Sequence, residues 1–414
     1  MGTSTTMYAA VDWADRWLDC AVIAKDGTRL AYRRIVYKDT DDPVADFIAL
    51  LRSCNRTRWP RIPVGTEDPS GLFFQSLEAA GLTVIGIDPM LAARARKATT
   101  LGLTKSDRED AFLLAGMVAS GRFRPTPPST PEARAIGVLA RAQAAAVDAR
   151  QRAQHQLRAG LVTYYPAAVT AWPKLRLAHP QARAVLAAAP TPTRAASLSR
   201  AEIAEALRRG GRWRTVLDEA ERLHLHFRRR ALRTHPLVED ARGVEMLALL
   251  DNLNHACRTA AMLTQSLDQA FTAHPHAAVI QSVPGIGTVL GARILGEIGD
   301  AGRFPTARGL CAYAGVVPVA WASGLSQRVS YRRFANDALR DALRQAAFCA
   351  LTKSPGAAAY YRARRERGDN HNTALRNLAA RLTRCLHHCL ATSHLYDEAL
   401  AFRDRAPVGV PEAV

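Results

Sequence analysis

The first 120 residues alternate between short apolar runs and amphipathic stretches of helical period. Alternation at every second position predicts strands, and apolar spacing of three and four residues predicts helices. The segment Lys25-Asp26-Gly27-Thr28 predicts a hairpin turn between the second and third strands. We predict strands at Tyr8–Trp13, Leu18–Ala24, Arg29–Tyr37, Ile62–Glu67 and Thr83–Asp88, and helices at Pro43–Cys54, Gly71–Ala80, Met90–Lys97 and Lys105–Ser120. Three antiparallel strands followed by strand–helix crossovers predict a mixed sheet with helices on its faces, an α/β domain.

The pattern after this domain is helical. Prolines at 125, 127, 128 and 131 end the first domain, and a long Ala/Arg/Leu helix with coiled-coil composition follows over Glu132–Tyr164. Further helices are predicted at about 199–209, 212–233 and 236–273, and at Thr288–Ile298 after a new region opens near His276. We therefore divide the chain into an α/β domain (1–124), a helical coiled-coil region (125–275), a third domain (276–355) and a basic helical extension (356–414).

The excess of positive over negative charge lies in the later part of the chain. The net charge is +19, yet the first 117 residues contain 15 Lys and Arg against 15 Asp and Glu. An arginine-rich composition explains part of the excess, but would not leave the first domain neutral. The excess predicts a polyanionic partner. Five arginines of the predicted helix at 212–233 form either a solvated face or a nucleic-acid face: Arg222, Arg228, Arg229, Arg230 and Arg233.

The seven cysteines have irregular spacing, which predicts no disulfide framework and a cytoplasmic location. Cys385, His387, His388 and Cys389 lie together on a predicted helix. They can bind zinc or simply pack, and the packed helix is the favoured interpretation. We see no signal peptide and no apolar run of about 18 residues, so we expect no membrane association.

Four acids stand at the ends of predicted elements. Asp12 lies near the end of the first strand, and Glu67 ends the fourth. Asp107 and Asp110 are three residues apart and share one helix face. If the first and fourth strands are neighbours, the four carboxylates converge and require a hard divalent ion, Mg²⁺ or Mn²⁺. Four other acids are interpreted as surface or capping residues: Asp15, Asp19, Asp68 and Asp88.

These motifs resemble those of a family of insertion-sequence transposases. Val11–Trp13, Val64–Glu67 and Lys105–Ala111 are similar to the family's Asp-Glu-Asp-Asp motifs, which lie in an RNase H-type, Holliday-junction-resolvase-like domain. The family's C-terminal motifs have counterparts in the same order: Pro284–Gly287, Tyr313–Pro318, Ser323-Gly324, Asn336 and Leu339-Arg340. The chain departs from the family pattern at Leu325 and Ala335, where glycine is common.

The resemblance implies an RNase H-like domain, a coiled-coil middle and a mainly α-helical serine domain. It implies a DNA transposase or recombinase that transfers phosphodiester strands. Ser323 takes the place of the family's serine nucleophile, with Ser326 as a second candidate. The implied partners are donor and target DNA, an element-encoded guide (bridge) RNA and further copies of the chain, as a dimer or tetramer. The implied location is the bacterial nucleoid.

Two groups of residues in the third region are candidates for phosphate contacts. Gly285 and Gly287 precede a helix, where exposed backbone N–H groups can hold a phosphate or simply begin the helix, and both interpretations stay open. Four arginines are interpreted as phosphate contacts: Arg328, Arg332, Arg333 and Arg340.

Three rival functions remain. A junction nuclease would use the four acids with water in place of serine. A sugar-kinase-like ATPase would need a second phosphate-binding half, which the sequence does not contain. A basic nucleic-acid-binding protein without chemistry would bind without needing a divalent ion.

Overall fold

The computed structural model describes residues 6–67, 71–87, 89–99, 106–121, 130–172, 176–299, 301–317, 319–323, 326–330 and 335–403. The chain forms two compact units, Met1–Pro128 and Ser129–Val414.

A five-stranded mixed sheet forms the centre of the first unit. The strands lie in the order β3-β2-β1-β4-β5; β1, β2 and β3 pair antiparallel, whereas β4 runs parallel to β1 and β5 parallel to β4. The strands are β1 (Met7–Trp13), β2 (Trp17–Ala24), β3 (Arg29–Val36), β4 (Val64–Thr66) and β5 (Val84–Gly86), and the helices are α1 (Pro43–Cys54), α2 (Leu72–Ala79), α3 (Pro89–Thr99) and α4 (Asp107–Ala119). The predicted α/β class and mixed sheet are confirmed.

The two faces of this sheet bury separate cores. Because side chains alternate along a strand, Ala9 and Val11 face one side and Ala10 faces the other. The first face packs against the apolar side chains of α1 and α2, and the second against α4, including Leu114 and Ala115. Residues of β1 that continue the Ala10 series therefore point toward α4.

Two long helices run through the second unit as an antiparallel pair, α5 (Pro131–Tyr164) and α11 (Pro236–Thr272). The start of α5 shares a core with the end of α11, and the end of α5 shares a second core with the start of α11. The second core also contains residues of the five shorter helices between them: α6 (Pro166–Ala171), α7 (Pro180–Ala188), α8 (Pro192–Ser197), α9 (Arg200–Arg209) and α10 (Val216–Phe227).

Helix α10 is shorter than its sequence predicts, because it ends at Phe227 and not near residue 233. Phe227 is the last residue of this segment that is buried in the core. Leu232 is 93% exposed, so the arginine-rich stretch after Phe227 has no apolar face with which to hold a helix against the core. Four of the five arginines predicted on this helix therefore follow it.

The rest of the second unit is helical except for one hairpin, β6 (Val319–Ser323) with β7 (Ser326–Ser330). The sequence pattern predicts no strand at these residues. The helices are α12 (Ala277–Ser282), α13 (Thr288–Ile298), α14 (Ala307–Tyr313), α15 (Asp337–Ala350), α16 (Pro355–Glu366), α17 (His371–Thr392) and α18 (Glu398–Ala401). Within the described residues, no helix has the length and apolar character needed to cross a membrane.

Candidate functional site

Strand pairing brings two of the predicted acids to one end of the sheet. β1 and β4 are parallel neighbours, with Ala10 opposite Gly65, which confirms the predicted neighbouring of the first and fourth strands. Asp12 lies two residues beyond Ala10, and Glu67 two residues beyond Gly65. Both acids therefore continue the series of residues that faces α4.

A glycine in β4 allows α4 to approach the sheet. A Cβ atom at Gly65 would lie 2.5 Å from Cγ2 of Val118 and 3.1 Å from Cδ1 of Ile87. Val118 is on the same face of α4 as Leu114 and Asp110, since the three are spaced by four residues. This packing leaves Asp110 only 4% exposed beside the strand ends.

The other acid of α4 is more accessible. Asp107 begins the helix, and its side chain is 40% exposed. Ser106 occupies the N-cap position, but its side chain makes no capping hydrogen bond. The first turn of α4 instead carries three acids, which are favourable near the positive end of the helix dipole.

Three of the predicted acids affect the ionisation of the fourth, Asp12. The pKa of Asp12 is raised to about 6, first by burial and then by the negative charges of Asp110, Glu67 and Asp107. Each of the three is thus close enough to disfavour ionisation of Asp12. The structure brings together the four acids, which come from separate parts of the sequence.

Two arginines that sequence reasoning missed neutralise part of this charge. Arg96 of α3 donates from Nε to Asp110 Oδ1 at 2.8 Å and from Nη2 to Glu67 Oε1 at 3.0 Å. Arg34 of β3 donates two hydrogen bonds of 2.9 Å to Asp19 and lies 3.4 Å from Asp107 Oδ2.

Asp19 is therefore not the surface or capping residue that the sequence analysis expected. It is 1% exposed and also accepts a short hydrogen bond from the Tyr32 hydroxyl. The hairpin register carried a usable signal, because Asp19 stands directly opposite Arg34. Of the other three acids in that group, Asp15 is exposed, while Asp68 and Asp88 lie outside the described residues.

The donor set of the four acids suits a hard divalent cation. Carboxylate oxygens are the ligands that Mg²⁺ and Mn²⁺ favour. Oδ2 of the buried Asp110 has no hydrogen-bond partner among the described residues, so one ligand oxygen is available. No three His, Cys, Asp or Glu side chains in the described part are arranged to hold an ion directly. The oxygens Asp110 Oδ1 and Glu67 Oε1 are bound by Arg96 in this state.

The predicted serine lies at the end of the β6–β7 hairpin. Ser323 and Ser326 form the last residue pair of the hairpin, and Gly324 and Leu325 between them lie outside the described residues. Arg328 is in β7, opposite Trp321. The predicted phosphate contacts Arg332 and Arg333 lie outside the described residues.

The two predicted glycines have different surroundings. Gly285 has φ +85°, and a Cβ atom there would lie 2.1 Å from the carbonyl oxygen of Ala346 in α15. Glycine at 285 is thus required by backbone conformation and close packing, whatever ligand the segment binds. Gly287 is the N-cap of α13, and a Cβ atom there would meet nothing within 4 Å.

The last two family motifs surround the start of α15. Asn336 caps this helix by accepting from the Leu339 N–H, and its Nδ2 donates to Glu297 Oε2 at 2.6 Å and to the Tyr313 hydroxyl at 3.0 Å. Arg340 is in an ion pair of 2.9 Å with Asp337. Asn336 therefore connects α13, α14 and α15.

The Cys/His group near residue 387 lies on α17 and is partly packed against the core, with His388 exposed. Cys389 is buried, and His387 Nε2 donates to the Phe304 carbonyl at 2.7 Å. Burial raises the pKa of the Cys385 thiol, which disfavours the thiolate that zinc binds. These contacts agree with the packed-helix interpretation.

Comparison with known proteins gives matches in both units. Residues 9–166, which include all four acids, match a protein-family model described as a transposase. Residues 277–362, which include Gly285 and Ser323, match the model described as the transposase IS116/IS110/IS902 family.

Individual relatives agree with these models. The chain is 42% identical over 407 residues to the mini-circle protein assigned as the transposase for IS117 in Streptomyces coelicolor, an alignment that covers 96% of the chain and 97% of that protein. It is 33% identical over 149 residues to a 43.6 kDa protein of insertion element IS110 from the same species, covering 36% of the chain and 35% of that protein. A 42 kDa protein of IS900 from Mycobacterium paratuberculosis is 32% identical over 135 residues, covering 32% of the chain and 34% of that protein.

Proposed function

Because this chain belongs to the IS116/IS110/IS902 family of transposases, we propose that it cleaves and rejoins DNA strands with an Asp-Glu-Asp-Asp metal site and a serine nucleophile. The observation that carries this proposal is the convergence of four acids on Asp12, whose pKa is raised to about 6. Such crowding of like charges is unfavourable for folding, and it is typical of sites that bind a cation or perform chemistry.

The first unit supplies an RNase H-like catalytic domain in this proposal. Three antiparallel strands followed by two parallel strands support that assignment. Asp12, Glu67, Asp107 and Asp110 hold Mg²⁺ or Mn²⁺. A bound divalent ion would supply positive charge that stabilises the charge developing on the scissile phosphate. The low exposure of Asp110 keeps water from screening that charge.

Ser323 supplies the nucleophile. Its Oγ forms a bond to phosphorus and loses its proton to a base or to water. The bond from phosphorus to the leaving strand oxygen breaks, and that oxygen takes up a proton to become a free strand hydroxyl. The resulting linkage between Ser323 and DNA is itself a phosphodiester. A strand hydroxyl can therefore attack its phosphorus, displace the serine oxygen and rejoin the DNA. The position of Ser323 at the end of a hairpin supports this role, and Ser326 is the second candidate.

Nucleic acid binds mainly to the second unit. The N–H groups at the start of α13 near Gly287 and the arginines at 328, 332, 333 and 340 contact phosphates. A guide RNA transcribed from DNA flanking the gene selects donor and target, and the chain works as a homo-oligomer. Recombination by purified protein should then require that transcript, and omission of the RNA should abolish it.

Trapping of a covalent adduct tests the serine mechanism. Wild-type protein on a nicked DNA substrate should give a protein–DNA band on denaturing gels, and peptide mapping should place the adduct at Ser323. Ser323→Ala should lose adduct and recombination but keep DNA affinity, since one hydroxyl contributes little to an interface of many phosphate contacts. Ser326→Ala is the matched control and should keep the adduct.

The junction-nuclease alternative predicts a different pattern. If water is the nucleophile, Ser323→Ala cleaves normally and no variant forms an adduct. Asp12→Ala, Glu67→Ala and Asp110→Ala should abolish cleavage under both mechanisms, so only the serine variants distinguish them. Full activity of wild-type protein in EDTA would remove the metal site from either mechanism.

A further inference from the structure

Arg96 bridges two of the four acids, Glu67 and Asp110. Its Nε and Nη2 bind one oxygen each of Asp110 and Glu67, which come from α4 and from the end of β4. The Arg96 side chain is 27% exposed, so it enters the cluster from its edge and remains accessible to solvent. It is also the group that opposes the raised pKa of Asp12. One guanidinium thus pairs with two of the four carboxylates and offsets part of their charge.

A guanidinium and a divalent ion cannot use the same oxygens at once. Arginine binds carboxylates through planar, directed N–H groups, whereas Mg²⁺ and Mn²⁺ need oxygens converging on one point about 2 Å away. While Arg96 holds Asp110 Oδ1 and Glu67 Oε1, the described acids are not arranged to hold an ion. Asp110 Oδ2 is buried and has no hydrogen-bond partner among the described residues.

We infer that Arg96 is a positioning residue that acts as an exchangeable counter-ion: it holds Glu67 and Asp110 together in the metal-free protein and leaves them when a divalent cation binds. The inference rests on the proposed function of the acids as metal ligands. It predicts opposite effects of Arg96 on two measurable properties. Arg96 stabilises the metal-free fold by neutralising buried charge, and it weakens metal binding by competing for ligand oxygens.

Direct binding of Mn²⁺ to the full-length protein without nucleic acid tests this inference. Arg96→Gln removes the charge and keeps a polar amide on a side chain that is two bonds shorter. Its Mn²⁺ dissociation constant, measured by equilibrium dialysis, should fall about tenfold, which corresponds to about 1.4 kcal/mol. Its metal-free melting temperature should fall, and the increase in melting temperature on adding Mn²⁺ should exceed that of wild type.

Two further variants separate competition from other effects. Lys97→Gln removes the same charge from an exposed neighbour on α3 and should leave Mn²⁺ affinity within about twofold of wild type, because a solvated charge is screened. Arg96→Lys keeps a cation with a different shape and should give an intermediate affinity. If Arg96→Gln does not fold, Arg96→Lys alone still tests the direction of the change.

The outcomes distinguish failure of this inference from failure of the proposed function. If wild type binds Mn²⁺ and Glu67→Gln prevents it, but Arg96→Gln and Arg96→Lys bind no tighter than wild type, the counter-ion role is wrong and the metal site stands. If neither wild type nor the Arg96 variants bind Mn²⁺, both are wrong. Tighter binding by Arg96→Gln with a less stable metal-free fold supports both.

Discussion

Ionisation of Asp12 among the other acids lowers the free energy of unfolding. Its folded pKa of about 6 lies above the ordinary value of 3.8, so the unfolded chain releases this proton more readily than the folded chain does. Ionised Asp12 therefore destabilises the fold above about pH 6, and the effect disappears as pH falls toward 4.

Asp12→Asn should accordingly stabilise the metal-free protein. In EDTA at pH 8 we expect a gain in the free energy of unfolding of at most about 3 kcal/mol, because the variant removes the cost of ionising a partly buried acid among other carboxylates. Denaturant unfolding at pH 8, 6 and 4 measures it, and the gain should shrink at each step. Asp15→Asn, at an exposed acid nearby, is the control. A gain that is equal at all three pH values would show that ionisation of Asp12 is not its cause.

Gly285 and Gly287 belong to the same sequence motif, but only Gly285 lies where the structure has no room for a side chain. Gly285→Ala places a methyl group against the Ala346 carbonyl at a positive φ, and should lower the free energy of unfolding by roughly 2–5 kcal/mol. Gly287→Ala, whose Cβ meets open space, should change stability by about 1 kcal/mol or less. Thermal unfolding compares the two. A Gly285→Ala protein of normal stability that has lost DNA affinity would instead indicate a direct phosphate contact.

Asn336 caps the start of α15 and also links this helix to its neighbours α13 and α14. Asn336→Ala removes the cap and the bonds to Glu297 and Tyr313, and should cost about 2 kcal/mol or more. Asn336→Ser keeps a capping oxygen but is too short to reach Glu297, so its loss should be smaller. Asn370→Ala removes a cap of the same kind from α17 and calibrates the cap alone. Equal losses for Asn336→Ala and Asn370→Ala would contradict a role for Asn336 in joining the helices.

Elements with strong local patterns were predictable, and most side-chain contacts between elements were not. The hairpin turn at Asp26-Gly27 and the apolar alternation gave β1, β2 and β3 to within one residue, and Thr288–Ile298 was predicted with its observed bounds. The meeting of β1 and β4 followed from the strand order. No local pattern indicates that α3 would direct Arg96 at Glu67 and Asp110, because that contact depends on how α3 packs beside the sheet. For the same reason the close approach of Gly285 to α15 left no signal beyond the glycine itself.

The net positive charge is distributed unevenly along the chain. The first 117 residues are neutral, so their acids are balanced by local arginines such as Arg34 and Arg96, whereas the excess of +19 belongs to the residues that follow. Within the second unit, Arg229 and Arg230 are exposed after the end of α10, beyond the apolar core that would have made them part of a helix face. Solvated arginines of this kind are suited to bind phosphates. Their binding releases counter-ions and does not require a buried ion pair to break.

The salt dependence of nucleic-acid binding should therefore change only when charge is removed from the second unit. For each phosphate contact that is lost, the slope of log affinity against log salt should fall in magnitude by about 0.9. Arg229→Gln with Arg230→Gln should thus reduce the slope by up to about 1.8, measured by fluorescence anisotropy of labelled DNA over a salt series. Arg56→Gln with Arg61→Gln removes two exposed charges from the neutral first 117 residues and should leave the slope unchanged. If the second pair reduces the slope as much as the first, phosphates contact both units, and the neutral composition of residues 1–117 does not keep nucleic acid away from them.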